Sequence, residues 1–218
     1  MVKHKSLNEI ETRDQSFNDT DWYEGEYKDG KYHGQGISKY PDGSKYEGKW
    51  ENGEKNGHGK LTSPNGDKYE GEFKDGFFHG EGICKYTDGT IYKGGFILGE
   101  YCGHGIHTYS DGSKYEGEFL NGQPQGNGIF QKSDGTKYDG EFMDGKFCGI
   151  GKHTFPDGTQ YEGEFSDGQP KGQGTLKFPA GGKLVGEFRE LNPWNAKEFN
   201  TDGKMVVEYK NGVAKKSS

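Results

Sequence analysis

Residues 23–45 read YEGEYKDGKYHGQGISKYPDGSK, and Tyr46 opens the next run, YEGKWENG. Glycine loses more backbone freedom on folding than any other residue, so Gly25, Gly30, Gly34, Gly36 and Gly43 call for a structural reason. Advancing in steps of 23 residues supplies it. Tyrosine recurs at Tyr23, Tyr46, Tyr69, Tyr92, Tyr115, Tyr138 and Tyr161, with Leu184 in the eighth place. A glycine follows two residues later each time, at Gly25, Gly48, Gly71, Gly94, Gly117, Gly140, Gly163 and Gly186. Further glycine columns lie 7, 11, 13 and 20 residues after the tyrosine in the first seven units, and only Gly95, Gly182, Gly203 and Gly212 of the 40 glycines fall outside the five columns. The chain is a tandem repeat, and the repeat governs every later inference.

Within a unit, Tyr69-Glu70-Gly71-Glu72-Phe73 and Tyr115-Glu116-Gly117-Glu118-Phe119 alternate aromatic or glycine with acid. This is the period-2 signature of a half-buried strand, with the rings and glycine on one face and the acids on the other. A turn pair follows: Asp29-Gly30, Asn52-Gly53, Asp75-Gly76, Asn121-Gly122, Asp144-Gly145 or Asp167-Gly168. Asp-Gly and Asn-Gly are strong hairpin signals because both residues tolerate positive φ. A second strand, about Gly34 to Tyr40 in the first unit, ends in an aromatic at Tyr40, Tyr86, Tyr109, Phe155 and Phe178. A second pair then closes the unit: Asp42-Gly43, Asn65-Gly66, Asp88-Gly89, Asp111-Gly112, Asp134-Gly135 or Asp157-Gly158. Each unit reads as one β-hairpin, and the strand glycines let rings lie flat over the backbone and the sheet bend. The predicted fold class is all-β: an elongated, curved, single-layer antiparallel meander held together by neighbour-to-neighbour contacts.

The bulk composition agrees. Hydrophobic residues are 28% of the chain and aromatics 14%, so half the apolar content is ringed. That balance excludes a thick two-layer core, and its aromatic share opposes disorder. A net charge of -7 argues against a nucleic-acid surface, which needs clustered Lys and Arg, and disfavours attraction to anionic lipid. No apolar run approaches the ~20 residues that span a bilayer, and the polar start lacks the pattern of a signal peptide. Cys84, Cys102 and Cys148 show no CxxC spacing, which fits neither a disulfide framework nor a zinc finger. A soluble, reducing, cytoplasmic setting is expected.

The unit Y-E-G-E-[FYW]-x-[DN]-G-x-x-x-G-x-G resembles the MORN repeat (membrane occupation and recognition nexus). The resemblance covers 23–188 as seven full units and a decaying eighth, leaving 1–22 as a polar N-terminal extension and 189–218 as a C-terminal cap with a frayed tail. It implies a curved β-hairpin array with an aromatic groove, from a family that supplies cytoskeletal scaffolds, ciliary and radial-spoke components, motor-tail adaptors and junctional-membrane tethers. The lipid-kinase and lysine-methyltransferase domains of some relatives are not expected here. In the eighth unit Glu190-Leu191 replaces the turn pair, and Asn192 before Pro193 is expected to cap a short helical turn. Trp194 would then cover the last hairpin, and Asp202 to Gly212 looks like a ninth half-unit.

Candidate chemistry is sparse. His33, His58, His79, His104, His107 and His153 fall on repeat positions, and equivalent residues of adjacent hairpins lie ~10 Å apart, too far to share a zinc at ~2.1 Å. Paired acids such as Glu24/Glu26 and Glu116/Glu118 recur in most units and read as a solvated face rather than a glycosidase pair. HGQGISKY precedes a strand, so it lacks the helix N-terminus of a phosphate loop. No catalytic, cofactor or metal residues are expected, and the chain is not expected to be an enzyme.

The remaining signal is the aromatic ladder. A single sheet has nothing opposite its ringed face, so some rings should stay exposed as a partner groove. The expected groove residues are Tyr69, Phe73, Tyr86, Tyr92, Phe96, Tyr109, Tyr115, Phe119, Tyr138 and Phe142, and its length suits an amphipathic helix. The expected function is a protein-binding scaffold or adaptor holding a partner helix or a second array, homodimer included, in a cytoskeletal or ciliary (axonemal) assembly. A membrane or phosphoinositide tether is the alternative, and the acidic rows oppose it.

Overall fold

The computed structural model describes residues 22–217. Among these residues the chain is all-β, with eighteen strands and no helix. They fall in two compact units. The first holds the chain through Asp111 together with Phe119–Gly122, and the second holds Gly112–Glu118 and everything from Gln123. Strands β1 (Trp22–Lys28), β2 (Lys31–Lys39), β3 (Lys45–Glu51), β4 (Glu54–Thr62), β5 (Lys68–Lys74), β6 (Phe77–Lys85), β7 (Ile91–Ile97) and β8 (Glu100–Thr108) belong to the first. Strand β9 (Lys114–Leu120) is divided between the units. The second contains β10 (Gln123–Gln131), β11 (Lys137–Met143), β12 (Lys146–Thr154), β13 (Gln160–Ser166), β14 (Gln169–Lys177), β15 (Lys183–Arg189), β16 (Asn192–Phe199), β17 (Met205–Lys210) and β18 (Val213–Lys216).

From β1 to β8, and again from β10 to β18, each strand pairs antiparallel with the next. This is the predicted hairpin array, and glycine sets its register. Gly25 pairs Gly36, which pairs Gly48, and the row continues through Gly59, Gly71, Gly82 and Gly94 to Gly105. In the second unit it runs from Gly128 through Gly140, Gly151, Gly163 and Gly174 to Gly186, which meets Ala196.

The row is a close-approach requirement. A Cβ on Gly48 would stand 2.5 Å from Gly59 Cα and 2.6 Å from the Tyr46 hydroxyl, which crosses the row. The hydroxyl then donates to the Lys49 carbonyl at 2.8 Å, so a ring that is wholly buried still has its polar end satisfied. Just beyond the row the hairpins β1–β2, β3–β4, β5–β6, β7–β8, β11–β12, β13–β14 and β15–β16 shift register in a β-bulge: Gly25 faces Gly36, but Glu26 faces His33. The extra residue bends the strand and increases its local twist. It needs a left-handed backbone at Gly34, whose φ is 61°.

The two Asp-Gly turns, alike in sequence, differ in conformation. At the first, both residues have positive φ (Asp29 52°, Gly30 76°), a tight type I′ turn. Its glycine N–H also reaches back to the preceding hairpin, Gly53 donating to Tyr32 O at 2.9 Å. At the second, only glycine has positive φ (Gly43 92°). Gly43 N donates to Tyr40 O, and Asp42 accepts from the Ser44 amide, both at 2.9 Å. This longer loop leaves its second position in ordinary φ space, which is why proline fits at Pro41, Pro64, Pro156 and Pro179.

The C-terminal segment corrects one expectation. No helical turn forms at Asn192-Pro193; both lie in β16. Glu190 and Leu191 adopt φ of 53° and 65°, so the tight turn persists without glycine and the hairpin continues. Pro193 pairs with Phe188 and occupies the position of Pro124 and Pro170, the second residue of a returning strand. Trp194 lies under the Arg189 guanidinium, 3.8 Å from the ring centroid, and its carbonyl accepts from Gly212 N at 2.9 Å. The expected N-terminal extension lies outside the described residues apart from Trp22, which opens β1.

Candidate partner-binding site

The predicted groove residues lie on the glycine-row face, as alternation requires, but they do not form an open groove. Tyr69, Phe73, Tyr92, Phe96, Tyr115, Phe119, Tyr138 and Phe142 are all 4% exposed or less, and Tyr86 and Tyr109 are half-buried. These rings are the core. Two contacts account for it. Each tyrosine meets the aromatic of the next hairpin edge-on: Tyr46 with Phe73 at 5.0 Å, Tyr69 with Phe96 at 5.2 Å and Tyr138 with Phe165 at 5.0 Å between centroids. The second residue of each returning strand then lies over the tyrosine. Phe78 stacks on Tyr69, Tyr101 on Tyr92 and Phe147 on Tyr138 at 3.6–3.8 Å and within 9° of parallel. The single sheet thus makes its own second layer from side chains.

Sequence reading missed this covering column. Its signal was present, since Tyr32, Phe78, Tyr101, Pro124, Phe147, Pro170 and Pro193 recur at one position, with Lys55 the exception. Lys55 is itself buried, its ammonium 5.7 Å from the Tyr46 ring centroid. Burial pushes the Tyr161 hydroxyl up to about 12, so it stays protonated and donates to the Glu164 carbonyl at 3.2 Å.

The other face is polar, as expected, but its acids have assigned work. The carboxylate immediately after the row glycine accepts the amide exposed by the bulge: Glu26 from Gln35 N and Glu141 from Ile150 N at 2.9 Å, Glu164 from Gln173 N at 3.0 Å. These carboxylates are bulge caps rather than a merely solvated face. The acid on the near side of the row is ion-paired: Glu47 with Lys45 at 3.0 Å, Glu70 with Lys60 at 3.1 Å, Glu162 with Lys152 at 3.1 Å and Lys177 at 2.8 Å. Both lysines, hydrogen-bonded to it, hold the Glu162 carboxyl below its ordinary range.

Between these two acid-bearing rows the surface has no side chains. In the first unit it forms a cleft of about 520 Å³, floored by Gly36, Gly48 and Gly59 and flanked by Glu24, Ile37, Glu47, His58 and Lys60. The open surface is therefore the back of the glycine row. The histidines divide between the faces: His58 lies beside Glu70 at 4.0 Å, whereas the His153 ring packs 4.4 Å from Phe155, and its burial holds the imidazole below 6.5. Among the described residues, no group of three or more His, Cys, Asp or Glu could hold a metal ion.

Comparison with known proteins places this geometry. The MORN-repeat family model matches seven consecutive segments, residues 23–45, 46–68, 69–91, 92–114, 115–137, 138–160 and 161–183. No curated protein matches. Among solved structures, the chain is similar to the TCP domain of SAS-4 (dCPAP) of Drosophila melanogaster, solved in complex with a proline-rich motif of Ana2 (dSTIL). The two are 15% identical, over 71% of this chain and 85% of that one, with a TM-score of 0.45. It is also similar to the TCP10 domain of Danio rerio CPAP, at 16% identity over 81% and 78% of the two chains, TM-score 0.39. The seven matched segments coincide with the 23-residue steps of the glycine row and account for most of the chain, which belongs to the MORN-repeat family.

Proposed function

We propose that the protein is a non-enzymatic protein-binding scaffold whose working surface is the back of the glycine row, not the ringed face. The observation that carries this reading is the cleft with a backbone floor at Gly36, Gly48 and Gly59, between walls that bear Ile37, Glu47 and Lys60. A floor without side chains admits close approach of another backbone, and walls that set Ile37 among Glu24, Glu47 and Lys60 suit a segment carrying both apolar and charged side chains. Against chemistry at this face, its carboxylates recur hairpin after hairpin and are held by bulge amides and lysines. Membership of a family that supplies cytoskeletal and ciliary scaffolds supports a cytoplasmic place in such an assembly.

Affinity purification from the native cell, with wild-type chain beside Ile37→Asp and Lys60→Glu, tests the reading. A partner retained by wild type and lost from both variants, with circular dichroism unchanged, is the expected result. Equal recovery on all three would assign binding to another surface. Co-sedimentation with phosphoinositide vesicles and no protein partner would favour a membrane tether.

A further inference from the structure

The fourth hairpin breaks the pattern of the outer face. At the two outer positions beside the row glycine, β1, β3, β5, β9, β11, β13 and β15 carry at least one acid; β7 carries Lys93 and Gly95 instead. Before the tyrosine the first unit has Trp22 and the other matched units lysine or glutamine, whereas this one has Ile91, and its strand ends in Ile97. Its tight turn is Leu98-Gly99, where the other matched units have Asp-Gly or Asn-Gly.

Leu98 is unfavourable on two counts. Its φ is +49°, in the left-handed region where a branched side chain crowds its own backbone. Its side chain is 65% exposed. Beside it Ile97 is 54% exposed, and Leu120, two strands away at ~10 Å and in the same unit, is 56% exposed; Ile91, at the far end of β7 about 20 Å along the strand, is 39% exposed. Nothing in the fold needs leucine in this turn, since asparagine serves at Asn52 and Asn121 with φ of 55° and 48°. An outlier with no structural return points to a functional contact. Charge supplies the second half of the argument. Lys93 lies between Ile83 and Ile106 in the pairing register and makes no ion pair among the described residues. Lys60, in the same row, is neutralised by Glu70.

We propose that Ile97, Leu98 and Leu120, with Ile91 and Lys93, form the anchor for an amphipathic helix of another protein. Its aliphatic side chains cover the three exposed residues at the turn, and a carboxylate meets Lys93. This rests on the reading of the outer face as the partner surface and specifies the anchor and the partner's chemistry. Glu81 and Glu100, also on β6 and β8, disfavour an anionic membrane at this patch.

The test uses the intact protein and, as probe, a phage-displayed library of helical peptides of about 18 residues, about 27 Å long. Selected peptides are expected to combine aliphatic residues at i, i+3 or i+4, and i+7 with Asp or Glu. Leu98→Asn and Lys93→Glu should each weaken their binding about tenfold or more. Leu98→Asn should at the same time raise the melting temperature by about 2–4 °C, so lost binding cannot be lost folding. Peptides that release from Ile37→Asp but bind Leu98→Asn at full strength would overturn this anchor while leaving the outer-face scaffold standing. A library yielding no binder, or a dimer in light scattering or vesicle binding abolished by Leu98→Asn, would overturn the helix assignment.

Discussion

Phe78 lies face to face on Tyr69, ring centroids 3.7 Å apart and planes 9° from parallel. Tyr69 in turn lies across Gly71 and Gly82, and its hydroxyl donates to the Glu72 carbonyl at 2.7 Å. This stack of backbone, tyrosine and covering ring is the packing unit of the fold. Phe78→Ala should therefore remove a core ring, not a surface one, and destabilise the protein by about 3 kcal/mol or more. Urea denaturation monitored by far-UV circular dichroism measures it. A loss under about 1 kcal/mol would mean that the covering layer contributes little.

Gly117→Val and Glu116→Ala, adjacent in β9, should behave oppositely. A Cβ on Gly117 would stand 2.5 Å from the Tyr115 hydroxyl and 2.6 Å from Gly128 Cα, with no flexible group to yield on the backbone side. Glu116 makes an exposed ion pair with Lys114 at 2.8 Å, a class worth about 0–1 kcal/mol. The valine variant is expected to lose folded structure or most of its stability, and the alanine variant to melt close to wild type. Equal melting temperatures would reverse the assignment of faces.

The bulge cap at Glu141 is a local device with a local readout. Glu141→Ala leaves the Ile150 amide without its 2.9 Å acceptor, at a cost of about 1 kcal/mol at this exposed edge. Amide hydrogen exchange should accelerate at Ile150 while the amides at the glycine row stay protected. Unchanged exchange at Ile150 would return this carboxylate to the status of a solvated charge.

His153 gives the protein an acid-side sensitivity. Its ring packs against Phe155 and lies 5.9 Å from Phe147, and burial, with Lys132 nearby, holds its pKa below 6.5. A base depressed in the folded state is protonated first in the unfolded chain. The stability it contributes is present above pH 6.5 and is lost as pH falls through the folded value. Leucine occupies the equivalent position at Leu61 and Leu176, so His153→Leu should fold and flatten the stability profile just below pH 6.5. Identical slopes for the two proteins would locate the sensitivity elsewhere.

Much of this molecule is determined by sequence alone. The 23-residue step places every hairpin, because the recurring Asp-Gly and Asn-Gly pairs mark where the chain reverses and alternation then assigns each side chain to a face. The glycine row is legible for the same reason: a residue without Cβ between two rings has few other uses. Leu98-Gly99 is the one matched tight turn without Asp or Asn, and its φ and exposure, which only the structure supplies, give that departure its meaning.

The tertiary structure alone decided which face is open. Alternation tells on which side of the sheet Tyr69 and Phe96 lie, but not whether anything covers them. Cover comes from Phe78 on the returning strand and from the ring of the adjacent hairpin, contacts set by the bulge and by the stacking of one hairpin on the next. The same holds for Glu26 and Glu141, whose role as caps depends on an amide that only the bulge exposes. Period and alternation are local properties of the chain, whereas burial is a property of neighbours, and it turned an expected groove into a core and moved the candidate surface to the back of the glycines.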